Sequence, residues 1–295
     1  MESAVVHRPE VTQVVRAHVG IFDSGLGGLT VARALHERAP ALPLLYLGDT
    51  ARFPYGARDS SDVQARALAV GQSLIDRGCT ALVVACNTAS SAALELLRAE
   101  LPVPVIGMEP PLKPAAAQTK SGRVVVLVTP GTAAGDRLAR LEANHAAGVT
   151  VHTVPMPGLA DLVEAGRAAD PEVLRMLDTA IRGPLDLGAD AVALGCTHYG
   201  FVEVQLRSIL PDHVAIIDAA DAVARRTLAV LEENGQQINA GARRPVDYDV
   251  TGDRRAFAAA IESLRDAGEV LPDLVDIRRR ARAVAGGASD DDSRG

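Results

Sequence analysis

The chain has 295 residues, enough to bury one large core or two ordinary ones, and two is the better expectation at this length. Its net charge of −7 argues against a general nucleic-acid or anionic-membrane surface, and three cysteines are too few for a disulfide scaffold. With 48% hydrophobic residues but only 3% aromatic ones and no Trp, the core has to come from Val, Leu, Ile and Ala.

Residues 1–18 carry Glu2, His7, Arg8, Pro9, Glu10, Arg16 and His18 and no apolar stretch like that of a signal peptide. They read as an N-terminal extension. No run approaches the length of a transmembrane helix, and the free thiols fit a reducing setting, so a cytoplasmic protein is expected. Residues 18–22 then read as a strand, 23–28 (Asp-Ser-Gly-Leu-Gly-Gly) as a tight turn and 29–38 as a helix. A strand–glycine turn–helix unit turns backbone N–H groups toward whatever lies above the sheet, which suits an anion. The spacing is not the Gly-x-Gly-x-x-Gly of dinucleotide sites, and a plain tight turn reads equally well.

A second strand at 44–47 leads into the irregular segment 48–56, where Pro54 and Gly56 restrict the backbone around Tyr55. A helix at about 62–77 follows. The next run, Ala-Leu-Val-Val-Ala-Cys-Asn-Thr, reads as a buried strand that stops at Cys86, Asn87 and Thr88. Another helix reaches about residue 100, and the run 101–109 reads as a fourth short strand whose prolines suit a sheet edge or strand entry. Residues 110–122 read as a crossover between domains.

From Arg123 the pattern restarts. A strand at 124–128 ends in the turn Thr129, Pro130, Gly131, Thr132, and a helix (135–145), a strand (149–154), a loop with a short helix (156–164) and a helix (171–182) follow. Then comes Ala-Val-Ala-Leu-Gly-Cys-Thr-His, ending at Cys196, Thr197 and His198, a helix to about 210, and a strand at 214–218. Asp23 and Cys86 are 63 positions apart, Thr129 and Cys196 67; Cys86 and Glu109 are 23 apart, Cys196 and Asp218 22. In each half a Leu-Pro pair precedes the next strand. These matches predict an internal duplication: two similar α/β domains with mainly parallel sheets, related by a pseudo-twofold axis. The expected division is 19–115 plus about 219–270 for the first domain and 116–218 for the second, with a helix at 219–233, a strand at 246–251 and a helix at 256–267. Residues 286–295, rich in Gly, Ser and Asp, read as a disordered tail.

Most free cysteines are small buried hydrophobes, and Cys79 is read that way. Cys86 and Cys196 differ, because each ends a strand beside polar groups, where parallel sheets place ligands. One thiol from each half suits a reaction that is itself nearly symmetrical, such as racemisation at an acidic C–H. A thiolate removes the proton from one face while a thiol returns one to the other. Asp23 is placed to act near Cys86 and His198 near Cys196. Pyridoxal phosphate needs a Schiff-base lysine, and Lys113 and Lys120, the only lysines, lie in unsuitable contexts, so no cofactor is expected. No metal-ligand motif appears. A Cys–His hydrolase built on Cys196 and His198 is a weaker reading that leaves Cys86 unexplained.

Residues 20–30, 48–56, 85–89 and 194–199 resemble the glutamate racemases of the aspartate/glutamate racemase superfamily. Weaker similarity runs through 104–107, 129–132 and 162–164, so the resemblance spans about 19–260. It implies two α/β domains with the active site in the cleft between them, and interconversion of L- and D-glutamate without a cofactor, supplying D-glutamate for peptidoglycan. Cys86 and Cys196 would be the acid/base pair, Asp23 would assist the first thiol, and Glu164 and His198 the second. Substrate would be held by Asp23, Ser24, Tyr55, Gly56, Asn87, Thr88, Thr197 and His198. The expected partner is the small-molecule substrate, glutamate, and a second copy in a homodimer, with no direct nucleic-acid or membrane contact. Alternatives are a racemase for aspartate or another amino acid, or a regulatory protein-binding role such as inhibition of DNA gyrase. The chain departs from the family at Met156, where a cysteine is usual, at Gly200, often proline, and at Ala219 after Ile217 and Asp218.

Overall fold

A computed structural model describes residues 15–238 and 241–278, so the tail at 286–295 lies outside the described residues, as does most of the N-terminal extension. The elements run β1 (Val19–Asp23), α1 (Leu29–Arg38), β2 (Leu44–Gly48), α2 (Ser60–Asp76), β3 (Ala81–Val84), α3 (Asn87–Glu100), β4 (Val105–Gly107) and α4 (Leu112–Gln118). They continue with β5 (Arg123–Val128), α5 (Pro130–Ala133), α6 (Asp136–His145), β6 (Thr150–Pro155), α7 (Leu159–Glu164), α8 (Pro171–Asp186), β7 (Ala191–Leu194), α9 (Glu203–Ile209) and β8 (Ala215–Ile217). The chain closes with α10 (Ala220–Glu233), β9 (Val246–Val250), α11 (Arg254–Asp266) and β10 (Leu274–Asp276).

Every strand pairing in the two sheets is parallel among the described residues. One sheet has the order β10-β9-β2-β1-β3-β4 and the other β6-β5-β7-β8. Without its two late strands the first sheet reads β2-β1-β3-β4, the same order as the second. Helices cover the sheet faces, so inner strands are buried on both sides and tolerate only apolar runs. That is why β1, β2, β3 and β7 are buried throughout. Helices instead present one stripe: α8 buries Val173, Leu177 and Ile181, spaced four apart, with Met176 and Ala180 partly buried beside them.

The late strands return to the first sheet. Phe257 of α11 packs its ring against Tyr46 of β2 at 6.5 Å and Tyr248 of β9 at 5.5 Å. Asp249, nearly fully buried, pairs with Arg77, which follows α2, at 2.8 Å and with Arg254 of α11. β10 is absent from the sequence reading. The segment read as one helix after Cys196 is a 3-10 turn, Thr197–Val202, followed by α9, and the crossover at 110–122 contains α4. Residues 15–18 are fixed to the body: the backbones of Val15 and Ala17 pair with Gln237 at 2.9 Å. No helix among the described residues is long and apolar enough to cross a membrane.

Candidate active site

In each sheet the chain goes to opposite sides after the first and second strands, leaving a crevice at the carboxyl ends of β1 and β3, and again of β5 and β7. Asp23 ends β1, and Cys86 follows β3 by two residues. Thr129 follows β5, and Cys196 follows β7 by two residues. Both thiols are buried, at 6% and 8% exposure, and both line one cavity of about 290 Å³. Asp23, Ser24, Tyr55, Gly56, Asn87, Thr88, Thr197 and His198 line the same cavity. Glu164 does not; it lies behind His198. Cys79 is buried elsewhere, against Gly20, and neither Lys113 nor Lys120 reaches the cavity.

On the first side, Cys86 is the N-cap of α3, and its sulfur accepts the Ala89 N–H at 3.5 Å. The thiol lies 3.8 Å from Ser24 Oγ, and Ser24 donates to Asp23 Oδ1 at 3.0 Å. Burial, with the Asp23 carboxylate beside it, pushes the Cys86 thiol up to about 12. Asp23 is itself fully buried, and its pKa is raised by burial against the opposing pull of His198 and of the Thr197 hydroxyl. That hydroxyl, from the second half, donates to Asp23 Oδ2 at 2.7 Å. Asn87 is 6% exposed, and neither its amide nitrogen nor its amide oxygen has a protein partner.

On the second side, Cys196 Sγ lies 3.8 Å from His198 Nδ1, and His198 Nε2 lies 2.8 Å from Glu164 Oε2. Burial alone would strip the imidazole of its proton, but its bonds to Cys196 and Glu164 outweigh that and hold its pKa well above the ordinary value. The Phe53 ring packs on the imidazole with centroids 5.3 Å apart.

The glycine turn at 25–28 does meet an anion, but the anion is internal. Leu26 N–H donates to Glu164 Oε2 at 2.8 Å. A Cβ on Gly25 would lie 2.1 Å from that oxygen, and one on Gly27 2.4 Å from His198 Nδ1. These glycines allow the second half to press its His–Glu pair against the first. Across the cavity Gly56 and Gly131 also touch; a Cβ on Gly131 would meet Gly56 O at 2.5 Å.

Sequence reasoning left several residues unassigned. Phe53, the Thr129–Thr132 turn, Met156 and Asp161 line the cavity. Asp49 and Arg66 sit behind Tyr55, whose hydroxyl donates to Asp49 Oδ2 at 2.7 Å. The irregular, Pro- and Gly-containing stretch 48–56 was the available signal for Phe53 and Asp49. Arg66, on a helix face, carried none. Among the described residues, no group of three or more His, Cys, Asp or Glu side chains is arranged to hold a metal ion.

Two topologically equivalent parallel α/β halves, each delivering a buried thiol to one shared cavity, are the architecture of an amino-acid racemase. Residues 27–227 match the Asp/Glu/Hydantoin racemase family, and the chain belongs to it. It is 45% identical over 248 residues to the glutamate racemase of Roseiflexus sp., covering 83% of this chain and 91% of that protein. The glutamate racemase of Escherichia coli, solved with L-glutamate and the activator UDP-MurNAc-Ala, superposes with a TM-score of 0.77 at 29% identity, covering 88% and 97% of the two chains. The Thermus thermophilus glutamate racemase, solved with β-chloro-D-alanine, gives a TM-score of 0.71 at 36% identity over 88% and 96%.

Proposed function

We propose that the protein interconverts L- and D-glutamate by a two-base proton transfer at Cα, with Cys86 and Cys196 acting on opposite faces and no cofactor. The observation that carries this reading is the pair of buried thiols, one from each equivalent strand, in one cavity. Their surroundings are unequal in a useful way. Cys86 holds its proton, because burial and Asp23 oppose its charge. Cys196 has beside it a protonated His198, the partner that a thiolate base needs. One thiolate removes the α-proton, the other thiol delivers one, and the next turnover in reverse exchanges the roles. Asp23 and Ser24 assist the first thiol, and His198 backed by Glu164 the second.

Glutamate as substrate is supported by the relatives' activity and by the cavity's polar groups. Asn87 and Thr88 open α3, where a helix N-terminus favours a carboxylate, and the unpartnered Asn87 amide is available to bind one. Neither lysine lines the cavity, which supports a reaction without pyridoxal phosphate. The reading extends to a cytoplasmic homodimer that supplies D-glutamate to peptidoglycan, as the sequence resemblance implies. The deciding experiment follows the optical rotation of L- and D-glutamate with wild type, Cys86→Ala and Cys196→Ala. Wild type is expected to bring both to the same racemic end point, and each variant to lose at least about a hundredfold in kcat. A wild type that leaves both enantiomers unchanged would sink the substrate assignment, and a fully active alanine variant would sink the two-thiol mechanism.

A further inference from the structure

Asp49 follows β2, is fully buried, and accepts four hydrogen bonds. Tyr55 Oη donates to Oδ2 at 2.7 Å, Arg66 Nε to Oδ2 at 2.7 Å, Arg66 Nη2 to Oδ1 at 2.5 Å, and Thr251 Oγ1 to Oδ1 at 2.7 Å. These donors come from three places: the cavity loop, helix α2, and the end of β9 in the returning C-terminal segment. An ion pair with a buried carboxylate and a partly exposed guanidinium adds little net stability compared with apolar packing, but its hydrogen bonds fix the relative position of what they join. The loop it holds has little regular structure. Between Gly48 and Asp59 there are only two short 3-10 turns, Thr50–Arg52 and Tyr55–Ala57. Backbone bonds extend the same junction: Thr251 N–H donates to Gly48 O at 3.1 Å and Gly252 N–H to Thr50 Oγ1 at 3.0 Å.

We propose that Asp49, Arg66 and Thr251 are positioning residues, a clamp centred on the buried Asp49 carboxylate that holds the Tyr55–Ala57 turn in its substrate-binding geometry. The Tyr55 phenol has one hydrogen, and Asp49 takes it. The hydroxyl is therefore closed to a substrate carboxylate as a donor, and the loop meets the substrate through its backbone, its ring face and at most the phenol lone pair. The clamp also makes the returning strand β9 part of substrate binding, although none of β9 lines the cavity. This inference rests on the racemase reading for its substrate, but not for its geometry.

The test uses the full chain with Arg66→Met and Thr251→Val, whose side chains lie at the margin of the clamp, and Arg66→Lys as the conservative variant. Amide hydrogen exchange at Tyr55, Gly56 and Ala57 is expected to rise about tenfold in the first two. KM for both glutamate enantiomers is expected to rise about tenfold while kcat stays within about threefold, and Arg66→Lys to recover part of the KM change. Unchanged exchange, an unchanged KM, or a fall in kcat alone would overturn the clamp. If wild type itself fails to racemise glutamate, the substrate reading falls, and the exchange measurement still decides whether the clamp holds the loop.

Discussion

Asn87 shows how a single side chain can be set against stability. It is buried at the start of α3, lines the cavity, and has no protein partner for either amide atom. An unsatisfied buried amide costs about 1–3 kcal/mol, a cost that a bound carboxylate or ammonium group removes. Asn87→Leu, of similar volume and apolar, is therefore expected to raise the stability of the substrate-free protein by about 1 kcal/mol and to weaken glutamate binding at least about tenfold. Thermal unfolding and calorimetric titration with D-glutamate check the two halves of this statement. A variant less stable and still tight-binding would contradict it. Asn87 was readable beforehand because it follows a strand-ending cysteine. Arg66 was not, because its contact with Asp49 joins a helix to a loop 17 positions away, and a charged residue on a helix ordinarily faces solvent.

At the scale of elements, the turn between β1 and α1 matters for what it lets approach. Gly25 needs no special backbone angle; its φ is not positive. It is glycine because Glu164 occupies the space a Cβ would take. In Gly25→Ala the flexible Glu164 carboxylate must swing away, at little cost to the fold, and His198 loses one of the two partners that hold its proton. With the His198 pKa then lower, the protonated imidazole is lost at lower pH. The alkaline limb of the kcat/KM profile is expected to move down by about one pH unit, and Glu164→Gln to do the same. Coincident wild-type and variant profiles would refute this. The strands that frame this turn were legible because parallel inner strands demand apolar runs, and the thiols that end β3 and β7 marked their carboxyl ends. β10 was not legible: three residues, Leu274, Val275 and Asp276, are too short to show a period. Nor could composition separate the 3-10 turn Thr197–Val202 from the start of α9, since the distinction depends on Tyr199 and Phe201 being buried there.

For the whole molecule, the two halves meet at a second place away from the cavity, where α1, the residues before α9, the end of β8 and the segment after α11 converge. Arg33 of α1 reaches Glu269 at 3.5 Å and the Val270 carbonyl at 3.2 Å. Asp218 accepts the Ala220 N–H at 2.6 Å, with Glu203 and Arg33 acting on its charge. Burial, reinforced by Glu203 and opposed by Arg33, pushes the Asp218 carboxyl up to about 6 from its ordinary value of 3.8. Between those values the folded chain holds a proton that the unfolded chain has released. The stability due to this proton is therefore present below about pH 4 and is lost as pH rises through 6. Two pH units of displacement correspond to about 3 kcal/mol. Asp218→Asn keeps the acceptor for Ala220 N–H and carries no charge, so it is expected to exceed wild type by about 1 kcal/mol near pH 4.5 and by up to about 3 kcal/mol at pH 7. Glu269, also raised by its burial, titrates in both proteins and cancels in the difference. Urea unfolding of the two proteins across pH 4.5 to 7 measures that difference directly. Parallel curves would mean that Asp218 ionises at this junction as it does in the unfolded chain, and that the halves meet there without the desolvation described.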